Sequence, residues 1–188
     1  MSATDQMVES LTLFGEVCPI RVVRLTRARC NQLLIDWCHE LGACDRPFGQ
    51  DQWGLVVGDR ITSVAVSASI ISPTVTDATG SVWPRSRAVE LARICTRPGE
   101  NWATRPMLRL WRAVLVHEWE HWPVDLAVSY ATPGQVGHIY RHDGWTRVRQ
   151  VKRSSPGATS TWSKPSATDV IGDGRKTLWT YKYERSAA

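Results

Sequence analysis

Three stretches of this sequence carry residue types spaced for chemistry. In the first, an apolar run from Leu126 to Val128 ends in Ser129-Tyr130, breaks at Pro133-Gly134, and resumes as a helix-like stretch bearing Tyr140 before closing at Gly144-Trp145. The pattern reads as a buried strand, a turn, a short helix with a tyrosine and a Gly-aromatic exit, in that order. The second runs from Glu90 and Arg93 through Arg97-Pro98-Gly99-Glu100-Asn101-Trp102-Ala103 to Thr104. It passes from strand through loop to a helix start, a junction whose backbone N–H groups attract phosphate, although an ordinary strand-to-helix connection has the same appearance.

The third is His117-Glu118-Trp119-Glu120-His121. In zinc peptidases this spacing puts two histidines one helical turn apart around a metal, with the glutamate activating water. Here Pro123 stops the segment at once and no third ligand follows, so it reads as a capped helix end, where histidines are favoured by the helix dipole. His138 and His142 repeat the spacing without carboxylates or cysteines to complete a site. No metal is expected.

The elements that must position these groups follow from periodicity. Thr26 to Leu41 has Leu33, Leu34, Trp37, Cys38 and Leu41 at helical spacing and ends at Gly42. Trp53 to Val57 and Ile61 to Ile71 form a predicted hairpin about Gly58-Asp59. Thr74 to Arg87 is expected to be a polar loop, Ala88 to Cys95 a buried strand, and Thr96 to Pro106 another loop. Met107 to Trp119 is predicted to be one amphipathic helix burying Met107, Leu110, Trp111, Val114, Leu115 and Trp119, with Arg105, Arg109 and Arg112 off that side. Leu126 to Tyr130 is expected as a central strand, Gly134 to His142 as a short helix, and Thr146 to Lys152 and Lys176 to Tyr183 as strands. Ser154 to Thr168 is expected to be a mobile loop and residues 1 to 20 a weakly ordered lead-in with a first strand. This order implies an α/β or α+β fold, one domain around a central twisted mixed sheet flanked by helices.

The totals agree with a globular chain. There are 188 residues, 43% of them hydrophobic and 22% charged, with no apolar stretch long enough for a membrane helix and no secretory leader, so a cytoplasmic protein is expected. Five cysteines without a CxxC read as reduced thiols packed as small apolar groups. The net charge of +5 is unevenly placed: residues 1–139 hold 13 basic and 14 acidic side chains, residues 140–188 hold 10 and 4. Arg147, Arg149, Lys152, Arg153, Arg175 and Lys176 form a basic tail suited to phosphates, or one that merely aids solubility. Trp162 and Trp179 lie among polar and basic residues, where aromatics stack nucleobases or simply pack.

The buried strand, turn, tyrosine-bearing helix and Gly-aromatic exit resemble the late core of the GNAT acyltransferase fold. Residues 97 to 103 partly resemble that fold's glycine-rich loop, Q/R-x-x-G-x-G/A, which cradles the pyrophosphate of coenzyme A. ELAR at Glu90–Arg93, the Asn101/Thr104 pair, the SYA string at Ser129, GHIY at Gly137 and Trp145 together resemble the bacteriophage Mom family over about residues 88–148, with a looser match at the final RKTLWTYKY. That resemblance implies a GNAT-like domain with splayed central strands and conversion of adenine in double-stranded DNA to a carbamoylmethyl derivative. It implies Tyr140 as the catalytic acid, Arg93 facing the cleft, and Arg97, Gly99, Asn101, Ala103 and Thr104 on the donor loop, with Gln135 and His138 at the mouth of the helix. The donor would be acetyl-CoA or another acyl-CoA. Thr132 stands where the family carries an acidic residue, so Glu90 would take over that carboxylate. His39 lies near a place where the family carries histidines. A GNAT N-acetyltransferase acting on a small-molecule or protein amine, and a non-catalytic nucleic-acid-binding module on the same scaffold, are the alternatives. Oligomeric state is not legible.

Overall fold

The computed structural model describes residues 9–13, 16–132, 137–152 and 175–184, with side chains over 19–132, 137–148 and 176–184. In chain order the elements are β1 (Glu9–Leu13), β2 (Glu16–Arg24), α1 (Arg27–Asp36), β3 (Gln50–Val57), β4 (Arg60–Ala68), β5 (Thr74–Thr76), β6 (Val82–Pro84), β7 (Ala88–Thr96), α2 (Thr104–Ala113), β8 (Leu126–Ala131), α3 (His138–Arg141), β9 (Thr146–Lys152) and β10 (Arg175–Lys182). They fall into two compact units: Met1–Ser69 with Leu91–His121, and Ile70–Glu90 with Trp122–Ala188.

In the first unit the strand order is β1-β2-β3-β4-β7, with β1 to β4 joined antiparallel. Gly58 takes φ +63 in the β3–β4 turn, a left-handed conformation that suits glycine. Both strands are buried over long runs, because helices cover the face that would otherwise meet water. One cluster unites α1 and the sheet: Cys30, Leu33, Leu34, Cys44, Val64, Val66, Ala68 and Ala92.

Helix α1 starts where the hydroxyl of Thr26 accepts from the Arg29 amide. It ends at Asp36, five residues before the predicted Leu41, because Cys38 enters the left-handed region at φ +53. The amides of Cys38 and His39 then close the end by donating to the carbonyls of Ile35 and Leu34. Helix α2 is also shorter than its apolar pattern suggests. Val114 turns to φ −130, ψ −59, and residues Leu115–Glu118 continue as a 3-10 turn that still buries Leu115 and Val116.

In the second unit the order is β7-β8-β10-β9, with β7 parallel to β8 and the other pairs antiparallel. The parallel ladder covers Ala88–Glu90 against Leu126–Val128 and ends there, whereas β8 continues through Ala131 opposite Thr177 of β10. The expected polar loop at 74–87 is instead a small hairpin, β5 against β6. Asp77 holds it by accepting from the Thr79 and Ser81 amides, the Thr79 hydroxyl and the Trp83 indole. The expected mobile loop at 154–168 lies outside the described residues.

Candidate active site

Tyr140 is buried in the second unit, 6% exposed, between two indoles. Its ring stacks on Trp179 at 5.7 Å and meets Trp145 edge-on at 5.3 Å. Gly137 begins α3 at φ +64, and a Cβ there would come within 2.5 Å of the Trp179 ring, so only glycine lets the turn lie on that indole. The Tyr140 hydroxyl and the Ser129 hydroxyl are 2.8 Å apart in one buried hydrogen bond. Glu90, 5% exposed, pairs with Val128, the residue before Ser129, at the last rung of the β7–β8 ladder. Burial pushes the Tyr140 phenol above its ordinary value; the Ser129 bond opposes this and the Glu90 carboxylate adds to it. The phenol therefore keeps its proton throughout the physiological range.

The other expected residues of this unit lie as follows. His138 is exposed on α3, its ring stacked on His142 with centroids 6.3 Å apart. Thr132 is buried at the end of β8. Gln135 lies outside the described residues, as does Arg153. Arg147 is exposed on β9 and Lys176 half-buried on β10. The backbones of Arg149, Lys152 and Arg175 lie in the same β9–β10 ladder, where Arg175 pairs with Lys152 and Leu178 with Arg149.

In the first unit the chain leaves β7 through Arg97, whose amide donates to the Thr62 carbonyl, and turns at Gly99 with φ +86. Asn101–Ala103 form a 3-10 turn leading into α2; Asn101 is exposed, Ala103 buried, and the Thr104 hydroxyl lies 3.4 Å from that of Thr96. Ala103 offers no capping side chain and the first turn of α2 holds no acidic residue, so this helix start is electropositive. Glu100 works against an anion here. One carboxylate oxygen lies 3.5 Å from Arg60, and the other is buried with no hydrogen bond among the described residues. This glutamate occupies a position where the glycine-rich pattern has glycine.

Arg93 bonds to backbone. Its guanidinium donates to the carbonyls of Leu41, Gly42, Ala43 and Ala92. Those bonds pin the segment after α1 onto β7. Beside it, the His39 Nδ1 accepts from the Leu41 amide at 3.1 Å. Burial first, then the Arg93 charge, lowers His39 to about 4 despite a bond to the Ile94 backbone. At neutral pH this histidine is uncharged.

His117 and His121 do not share a helix. His117 sits in the 3-10 turn, Trp119 is extended at φ −69, ψ 108, and the His121 ring packs over Gly49. Among the described residues no group of three or more His, Cys, Asp or Glu side chains is arranged to hold a metal. Nor is any described helix long and apolar enough to cross a membrane.

Ser129 is the part of this site that the sequence did not mark. It was visible only as part of a string, and its pairing with Tyr140 depends on the path between strand and helix.

No protein-family model matches the chain, and no characterised protein matches it by sequence. Solved structures do match. An acetyltransferase from Bacillus subtilis in complex with CoA aligns at TM-score 0.50 and 8% identity, over 89% of this chain and 99% of that one. Spermidine N-acetyltransferase from Vibrio cholerae aligns at 0.55 and 8%, over 87% and 93%. A putative acetyltransferase from Salmonella typhimurium with its cofactor acetyl-CoA aligns at 0.55 and 13%, over 90% and 96%. At such identities the likeness speaks for architecture alone. The mixed sheet with its flanking helices, the short parallel ladder of β7 and β8 and the full-length alignments agree: the chain has the GNAT fold.

Proposed function

We propose that the chain is an N-acyltransferase that moves an acyl group from an acyl-CoA thioester to an amine. The observation that carries this reading is the Ser129–Tyr140 hydrogen bond, buried beside the end of a parallel ladder in a fold whose solved examples include proteins with CoA or acetyl-CoA bound. In the proposed reaction the amine lone pair attacks the thioester carbon, the C–S bond breaks, and the departing thiolate takes the proton of the Tyr140 phenol; the proton that the acylated nitrogen then loses passes by way of solvent and restores the phenol. Ser129 positions that phenol. A phenol held protonated by burial is suited to donation and unsuited to removing a proton from the amine. On this reading Arg97, Gly99, Asn101, Ala103 and Thr104 serve the donor's phosphates through backbone amides, and Gln135 and His138 are assigned to the donor as well.

A finer reading takes the acceptor to be the exocyclic amine of adenine in double-stranded DNA, whose acylation by the step above gives an N-acyladenine and free thiol; the carbamoylmethyl derivative, bonded to nitrogen through CH2, is not the product of that step. The excess of 10 basic over 4 acidic residues after position 139 favours this finer reading. The target base would have to leave the stack to be reached.

One experiment tests both readings. The protein is incubated with acetyl-CoA and a panel of polyamines, peptides and duplex DNA, with thiol release and product mass followed together. Amine-dependent thiol release with an acetylated product supports the acyltransferase. A modified deoxyadenosine in DNA from expressing cells supports the finer reading. No thiol release with any amine, and no CoA binding by calorimetry, would overturn the first.

A further inference from the structure

Glu100 is the residue of the loop after β7 that the acyltransferase reading does not use. The loop begins where the Arg97 amide donates to the Thr62 carbonyl of β4, and it turns at Gly99 with φ +86. The Glu100 amide then donates to the Arg97 carbonyl, and the Ala103 amide donates to the Glu100 carbonyl, so the turn closes around this residue. Its side chain is only 17% exposed although it is charged. One carboxylate oxygen lies 3.5 Å from the guanidinium of Arg60, at the start of β4, whose own side chain is 60% exposed. The other oxygen is buried and accepts no hydrogen bond among the described residues. A buried carboxylate oxygen without a donor is worse off than it would be in water. Arg60 is therefore the one favourable contact given to this charge among the described residues.

We propose that Glu100 stands in for the diphosphate of the donor: an incoming acyl-CoA displaces the carboxylate and takes Arg60 as its counter-ion. The inference rests on the acyltransferase reading, which assigns the donor's phosphates to residues 97–104, and adds the residue that sets their affinity. The chemistry of the pair selects the ligand. A guanidinium presents a fork of donors that fits a carboxylate or a phosphate, so one can replace the other on it. A single contact at 3.5 Å leaves that fork partly unused, and a diphosphate has the charge and the oxygens to fill it. Displacement also returns the orphaned oxygen to water. While Glu100 stays in place, its charge repels an arriving phosphate. Glutamate at this position thus lowers the affinity for the phosphate-bearing part of the donor and leaves the uncharged pantetheine arm unaffected.

The test is a calorimetric titration of the full chain with CoA, 3′-dephospho-CoA and pantetheine. Glu100→Gln keeps the shape of the side chain and removes its charge. It should bind CoA and 3′-dephospho-CoA about 10-fold more tightly than the parent does, and pantetheine equally. Arg60→Gln should weaken CoA binding more in the Glu100→Gln background than in the parent, because only there has the guanidinium no competing carboxylate. In turnover, Glu100→Gln should lower KM for acetyl-CoA but not for acetyl-pantetheine, a split that a merely structural role would not produce. Circular dichroism and the unfolding midpoint confirm that each variant is folded; should Glu100→Gln fail to fold, Glu100→Gly decides. Equal CoA affinity in parent and variant, or an equal gain for pantetheine, would overturn the inference, and amine-dependent thiol release by the parent would then leave the acyltransferase reading standing. A gain for CoA that is lost with 3′-dephospho-CoA would overturn the assignment to the diphosphate. No CoA binding by parent and variants alike would overturn both the inference and the reading beneath it.

Discussion

Protonating His39 should destabilise the fold by an amount that follows from its surroundings. In the unfolded chain the imidazole has its ordinary value of 6.5; in the fold, burial and Arg93 bring it to about 4. The unfolded state therefore binds more protons between these values, and stability rises with pH through that window. Its contribution is fully present above pH 6.5 and is lost as the pH falls towards 4. The linkage relation puts the loss between pH 8 and pH 5 at ~2 kcal/mol, reaching roughly 3 kcal/mol below both values. Urea unfolding followed by circular dichroism at pH 8 and pH 5 measures it, comparing the parent with His39→Gln. Glutamine can still accept from the Leu41 amide but cannot titrate. The variant should lose about 2 kcal/mol less than the parent between the two pH values. The comparison also cancels Asp51, whose carboxyl is raised by burial and titrates equally in both proteins. Equal losses in parent and variant, or an imidazole resonance of His39 titrating near 6.5, would refute the reasoning.

Three further outcomes are expected. Tyr140→Phe keeps the packing against Trp145 and Trp179 and should lower kcat about 10²-fold or more with little change in thermal midpoint, read by thiol release. Because the phenol is raised, the parent's rate should show no fall from Tyr140 ionisation below about pH 10, and a basic limb near pH 8 that disappears in Tyr140→Phe would contradict the placement. Gly137→Ala should destabilise by more than about 1 kcal/mol in chemical unfolding, since the new methyl meets the Trp179 ring at a backbone angle that alanine rarely adopts. Arg93→Met should cost about 2 kcal/mol and raise hydrogen exchange at residues 41–43, whose carbonyls lose charged donors.

Much of the sheet was legible because its strands advertise themselves locally. Val64 to Ile70 and Ala88 to Leu91 are mostly apolar, with Val64, Val66, Ile70 and Val89 β-branched, and the Gly58-Asp59 turn sets the hairpin. The helix ends were not, because apolar spacing continues past them. Leu115, Val116 and Trp119 stay buried in a 3-10 turn and an extended residue, so periodicity alone could not place the break at Val114. The hairpin at 74–84 was hidden by its polar composition, which in fact supplies the donors that Asp77 gathers. At the site, Tyr140 was marked by its motif. The contacts of Arg93 were not readable, because its carbonyl partners at 41–43 lie about fifty residues earlier and nothing local points to them. A cleft-facing arginine and one spent on backbone look the same in the sequence.

The Asp77 hairpin has a consequence for engineering. Its polar groups are satisfied from inside the loop, and Val82 at its rim is 65% exposed. A fluorophore attached at Val82 would thus sit on a rim whose hydrogen bonds owe nothing to Tyr140 or Ser129, while Val75 and Trp83 anchor the hairpin to the core. A probe there could report on handling and assembly of the protein while leaving the chemistry undisturbed.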